Sequence, residues 1–148
     1  MMAAGLGWLL WPPRAPAAAL PPATLAALRT ADLIYVATRR KGGALSEISP
    51  IWFALTDDEK IFFSTAPTSW KARRIAAGSP LYIWVGSTDG PMFEGTAAPV
   101  TDAALIDRMG DAYAQKYWIA WFGLFKPRSG RVAEGKTVAF LVTPKPAE

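Results

Sequence analysis

Phe63-Ser64-Thr65-Ala66-Pro67-Thr68-Ser69-Trp70-Lys71-Ala72-Arg73-Arg74-Ile75 is the stretch on which the fold turns. It opens as a β-rich run and stops at Ala66-Pro67, where proline removes a ladder donor. Thr68-Ser69 then offers hydroxyls that cap a helix, which is expected to run to about Ala77 and to end at Gly78. A helix start carries unpaired backbone N–H groups and a partial positive charge, a combination that suits a phosphate. Ser69 adds a hydroxyl donor, and Lys71 and Arg74, three apart on one helix face, add charge. Ile75, four residues after Lys71, is expected to face the core. The same pattern also describes an ordinary capped helix with surface cations, and the residues alone leave both readings open.

Upstream of this stretch the chain reads as strands. Leu33 to Thr38 is β-rich and ends at the basic turn Arg39 to Gly43. Ile48 to Leu55 reads as a second strand with Trp52 and Phe53 on opposite faces, Asp57-Asp58-Glu59 as a polar hairpin turn, and Lys60 to Thr65 as a third strand. These spacings suit an antiparallel meander. Before them, Pro21-Pro22 opens a short helix with Leu25 and Leu28 on one face. Residues 3–20 are apolar and Pro-rich, with no cationic region before Leu6 and too many prolines for a membrane-spanning helix. They read as a flexible leader over 1–20, ahead of a single domain over 21–148.

Downstream, Leu81 to Val85 and Met92 to Val100 read as the fourth and fifth strands, with Gly86 to Pro91 as a loop between them. Thr101-Asp102 caps a longer helix in which Leu105, Met109 and Tyr113 repeat every four residues, with Asp102 and Lys116 placed to suit its dipole. Tyr117 to Phe125 is aromatic, including Trp118, Trp121 and Phe122, and Lys136 to Val142 reads as a last strand. The sum is a mainly β protein of six strands and two or three helices, a closed or half-closed antiparallel barrel with helical caps.

Composition narrows the chemistry. The chain has 148 residues, 51% of them apolar and only 19% charged. That is one domain with core to spare, and its sparse charge implies that some surface is covered by a second copy. The net charge of +4 suits an anionic small molecule better than a nucleic-acid track, and no membrane partner is expected. The basic residues gather at Arg39–Lys41, Lys71–Arg74 and Lys126–Arg131, where solvated surface is an equally good reading. With no cysteine and no histidine, disulfides, Cys/His zinc sites and Ser-His-Asp catalysis are excluded, and a haem would lack its usual proximal ligand. No metal site and no catalytic residue is assigned. Glu94 in its apolar strand reads either as a tuned acid or as a partner for a cation.

Taken in order, Tyr35-Val36-Ala37-Thr38, a Gly turn, Ser49 to Ala54, Ser64-Thr65, Thr68 to Ile75 and Gly90 to Gly95 resemble the pyridoxamine 5'-phosphate oxidase-like family over about residues 30–142. The resemblance implies a split-barrel fold, a cytoplasmic homodimer with cofactor at the interface, and FMN-dependent redox chemistry on a small molecule. Carried over, Lys71 and Ser69 would bind phosphate, with Ser64 and Thr65 near the ribityl chain. The Pro50-Ile51-Trp52 backbone and on to Ala54 would run along the flavin ring. Trp70 stands where true oxidases carry an arginine, and Arg74 adds a second cation on the helix face. True oxidases read their substrate with a His- and Arg-containing segment, and this chain has no histidine, so the resemblance points to the shorter, less specialised members. Some of those resemble deazaflavin (F420)-dependent reductases, whose acidic tail Arg39, Arg40, Lys41, Arg73 and Arg74 could meet. A non-catalytic flavin-binding or flavin-storing module and a structural dimer whose cofactor site has decayed are the remaining alternatives.

Overall fold

The structure, a computed structural model, describes residues 20–117 and 127–146. The expected leader lies outside the described residues except for Leu20, as do Trp118, Trp121, Phe122 and Phe125. In chain order the elements are α1 (Pro22–Thr30), β1 (Ile34–Thr38), β2 (Ser49–Ile51), β3 (Ala54–Leu55), β4 (Ile61–Thr65), α2 (Trp70–Ala76), β5 (Leu81–Val85), β6 (Met92–Pro99), α3 (Ala103–Lys116), α4 (Ser129–Ala133) and β7 (Val138–Pro144). Among the described residues, no helix is long and apolar enough to cross a membrane.

All strand pairs are antiparallel, in the order β2-β1-β5-β6-β7-β4-β3. The two outermost strands, β2 and β3, are separated in sequence by only Trp52 and Phe53. The sheet therefore curls until its edges share one bent segment, which gives a split barrel and leaves little free edge. The sheet has seven strands rather than six because the expected strand Ile48–Leu55 is divided. Its first half pairs with β1 and its second half with β4. Nor is the sheet a simple meander: β1 lies beside β5 and β4 beside β7. A meander would have put β1 to β4 side by side, whereas curling requires β5 to β7 to fill the sheet between β1 and β4.

Side-chain alternation distributes two cores. Ile61 and Phe63 of β4 point inward with Ile34, Val36, Leu81, Ile83 and Phe140, whereas Phe62 points outward onto α3 with Ala139, Ile106, Met109 and Tyr113. α1 and α2 contribute Leu28, Ala72 and Ile75 to the inner core. The α3 stripe is Ile106, Met109, Gly110 and Tyr113; Leu105 is only partly buried. The expected cap is formed, with the Asp102 carboxylate accepting from the Ala104 and Leu105 N–H groups at 3.0 and 3.2 Å. Gly95 in β6 is held to its size by β7, since a Cβ there would lie 2.7 Å from Val142 Cγ1 and 3.0 Å from the Thr143 carbonyl.

The division of the second strand has a local cause. The Tyr113 hydroxyl donates to the Trp52 carbonyl at 2.8 Å. The Tyr117 hydroxyl accepts from the Phe53 N–H at 3.1 Å and donates to the Asp32 carbonyl at 2.6 Å, with the Phe53 carbonyl also at 3.1 Å. Backbone groups that would otherwise join a ladder are thus held by two tyrosines of α3. Trp52 stacks on Tyr117, with centroids 4.6 Å apart and planes at 8°, while Phe53 turns into the inner core. The two side chains do lie on opposite sides, as expected from strand alternation.

Candidate functional site

The turn after β1 shapes one wall of a groove. Arg39 pairs with Leu45, and the Gly43 N–H donates to the Arg40 carbonyl at 2.8 Å with Gly43 at φ 92°, a conformation that favours glycine. Ser46 then closes back on the strand: its hydroxyl accepts from the Thr38 N–H at 3.0 Å, and its own N–H donates to the Thr38 carbonyl at 2.8 Å. The opposite wall is α2, which packs on β1 through Ala72 and Ile75. Because those two residues fix the inward face, Trp70, Lys71 and Arg74 are left at the groove.

The groove has a volume of about 420 Å³, within the range of small-molecule sites. Val36, Ala37 and Thr38 of β1, Arg40, Ser46 and Glu47 of the turn, and Ser49 of β2 complete its lining. Three cations, Arg40, Lys71 and Arg74, face a single carboxylate, Glu47. Among the described residues none of the three cations forms an ion pair. Burial lowers the pKa of the Lys71 ammonium from the ordinary lysine value. Thr38 is 1% exposed, and its Oγ1 has no hydrogen-bond partner among the described residues. An unpaired buried hydroxyl costs about 1–3 kcal/mol. Cations in excess at one groove favour an oxygen-rich anion.

A family model described as pyridoxamine 5'-phosphate oxidase matches residues 20–146. The chain belongs to this family. No curated protein sequence matches it. Among solved structures, the fold is similar to a conserved hypothetical protein, Rv2991, of Mycobacterium tuberculosis (16% identity, TM-score 0.61, covering 90% of this chain and 86% of that one). It is also similar to an F420 reductase (22%, 0.56, covering 85% and 96%) and to HutZ, the heme storage protein of Vibrio cholerae (14%, 0.59, covering 86% and 92%). At these identities the likeness is one of fold.

Of the residues singled out by resemblance to the pyridoxamine 5'-phosphate oxidase family, the structure brings Trp70, Lys71 and Arg74 together at the groove. Ser64, Thr65, Ser69, Pro50, Ile51 and Trp52 lie outside its lining. Ser69 is the helix cap: its Oγ accepts from the Ala72 N–H at 3.2 Å and from the Thr65 hydroxyl at 3.3 Å. The sequence reading missed Thr38, Ser46, Glu47 and Ser49. The basic turn was a signal for Arg40, but that cluster divides by function. Arg39 is tied to the Tyr82 hydroxyl at 3.0 Å and to the Gly43 carbonyl at 2.9 Å, so it stabilises the turn. Glu94 lies 3.2 Å from the Lys145 ammonium, which answers its place in an apolar strand as an ion-pair partner.

Proposed function

We propose that the groove binds the phosphate end of a flavin, FMN, and that the chain is a small cytoplasmic oxidoreductase acting on a small molecule as a homodimer. The observation that carries this reading is the set of Arg40, Lys71 and Arg74 lining one groove with Thr38, whose buried hydroxyl has no partner among the described residues. Lys71 and Arg74 would neutralise the phosphate, and Thr38 and Ser49 would offer it hydroxyl donors. Ser64, Thr65 and Ser69 stay assigned to the ribityl and phosphate surroundings, and Pro50-Ile51-Trp52 to the ring edge. When bound, the flavin supplies the hydride chemistry, while the protein orients it and shields it from water. Tyr113 and Tyr117 hold the bent segment that would support the ring. Burial raises both phenol pKa values, Tyr117 to about 12, so both hydroxyls keep their protons at neutral pH.

F420 is the second reading, favoured by the arginines beside the groove and by the F420 reductase among the structures of similar fold. A haem of the usual histidine-ligated kind is excluded by the absence of histidine, despite the likeness to a heme storage protein. An enzyme would leave an open pocket beside the ring, whereas a flavin-storing module would seal the ring with Trp118 or Trp121, which lie outside the described residues.

A fluorescence titration of the full chain with FMN, riboflavin and F420, repeated with Lys71→Ala, tests the reading. FMN is expected to bind more tightly than riboflavin, and the variant to lose about 1.5–3 kcal/mol for FMN only, the worth of a charge-assisted hydrogen bond. Equal binding of riboflavin and FMN would overturn the phosphate site. Binding of F420 alone would reassign the cofactor.

A further inference from the structure

Trp70 is the most exposed large apolar side chain among the described residues, at 65%, and it stands at the groove beside Lys71 and Arg74. Packing therefore does not explain it. The guanidinium carbons of Arg74 and Arg73 lie 5.1 and 5.3 Å from its ring centroid, within cation–π range. One turn of α2 thus carries an indole braced by two cations and open to solvent, at a groove whose three cations include one of the two, Arg74. Flat, electron-rich rings stack on such platforms, and base–aromatic stacking is sequence-tolerant because every base has a π-face. The groove volume suits phosphates and sugar better than a whole dinucleotide, which would leave a base outside, over the rim.

We infer that Trp70 is a base-stacking subsite, so that the groove takes a diphosphate-linked purine nucleotide, its phosphates among Arg40, Lys71 and Arg74 and its ring on the indole. The inference rests on the phosphate reading of the groove given above and extends it to a second ring. The nucleotide has two sources: the adenine half of a dinucleotide flavin, FAD, whose flavin is then the cofactor itself, or that of a nicotinamide dinucleotide donor, which takes the groove in alternation with FMN rather than beside it. In either case Arg74 acts twice, bracing the indole and facing the diphosphate, while Arg73 braces the indole alone.

The test is calorimetric titration of the full chain with ADP and with inorganic pyrophosphate, for wild type, Trp70→Ala and Trp70→Phe. ADP is expected to bind wild type about tenfold more tightly than pyrophosphate, or about 1.4 kcal/mol. Trp70→Ala should bring that ratio close to one, and Trp70→Phe should keep most of it. A preference for FAD over FMN that Trp70→Ala abolishes assigns the base to the flavin. An unchanged FAD-to-FMN ratio with weakened NADH binding assigns it to the donor. Equal binding of ADP and pyrophosphate by wild type, or an unchanged ratio in Trp70→Ala, overturns the inference. So does loss of all ligands together with a change in sedimentation of Trp70→Ala, which would make Trp70 a contact between copies. FMN affinity and its response to Lys71→Ala report separately on the cofactor reading. A chain that binds FMN but does not distinguish ADP from pyrophosphate loses the subsite alone.

Discussion

Thr38 separates a structural role from a binding role at a single atom. Its Oγ1 is buried without a partner among the described residues, so Thr38→Val removes a cost and keeps the shape. Without ligand the variant should be as stable as wild type or more so by up to about 1 kcal/mol in urea unfolding, while its FMN affinity falls. A variant that loses stability and keeps affinity would show that the hydroxyl serves the fold. Lys116 makes the second case. Its ammonium sits 3.3 Å above the Phe53 ring, beside a smaller cavity of about 320 Å³ that Asp32 and Arg29 also line. Desolvation pushes its pKa down to about 8, opposed by the Asp32 charge. The ring face, which also favours the ammonium, acts in the same sense as Asp32. Between about pH 8 and the ordinary lysine value of 10.5 the unfolded chain holds the proton that the folded chain has shed, so stability from this group rises with pH across that window. Below pH 8 both states are protonated and the contribution is flat. The two α3 tyrosines work the other way, with raised pKa values that lower stability once unfolded tyrosine ionises near pH 10. The comparison is therefore between wild type and Lys116→Met from pH 7 to 9.5. The wild type should gain on the variant as pH rises past 8, and a constant difference would exclude the depressed pKa.

At the scale of elements, the bent segment between β2 and β3 is held from α3. Tyr113→Phe should cost about 1 kcal/mol by removing the bond to the Trp52 carbonyl. Tyr117→Phe should cost about 1–3 kcal/mol, because it leaves the Phe53 N–H without its acceptor and frees the Asp32 carbonyl. Urea unfolding measures both, and a Tyr117→Phe change no larger than that of Tyr113→Phe would show that the strand breaks without the hydroxyl. This break was not legible in the sequence. Ile51 to Leu55 is apolar with no turn signal, and the groups that interrupt it come from residues 61 and 64 positions away. A two-residue period reports which face a side chain takes, not which partner strand its backbone finds. By contrast, the helix from Ser69 was legible, because capping and stop signals are local: the cap, Ile75 inward and the end near Gly78 all stand where the residues put them, and the structure adds Ala72 to the inward face. The groove was legible only in part. Lys71 and Arg74 are marked by type and spacing and Trp70 only by the family resemblance, whereas Thr38 matters through a missing partner, which only packing reveals. α4 carries no apolar period, and none of its residues is buried, so nothing in its pattern announces a helix.

Across the whole molecule, the curled sheet buries its inner face and α3 covers part of its outer face, yet large apolar side chains remain outside. Leu45 and Ile48 are 41% and 42% exposed, on the same turn that walls the groove, and Met92 is 47% exposed. Solvated single apolar residues are ordinary, but a chain that is 51% apolar and 19% charged has little polar surface with which to dilute them. A two-fold contact through the 45–48 turn would cover Leu45 and Ile48 and place the groove at a boundary between copies. Sedimentation equilibrium should therefore give twice the chain mass, and Leu45→Glu with Ile48→Glu should bring it to one chain by burying like charges against each other. Neither residue lines the groove, so the double variant also tests whether the site is shared. If FMN affinity falls with the dimer while circular dichroism is unchanged, residues of the second copy complete the site. If the monomer binds FMN as tightly as wild type does, the groove is sufficient in one chain and the interface serves only to cover apolar surface.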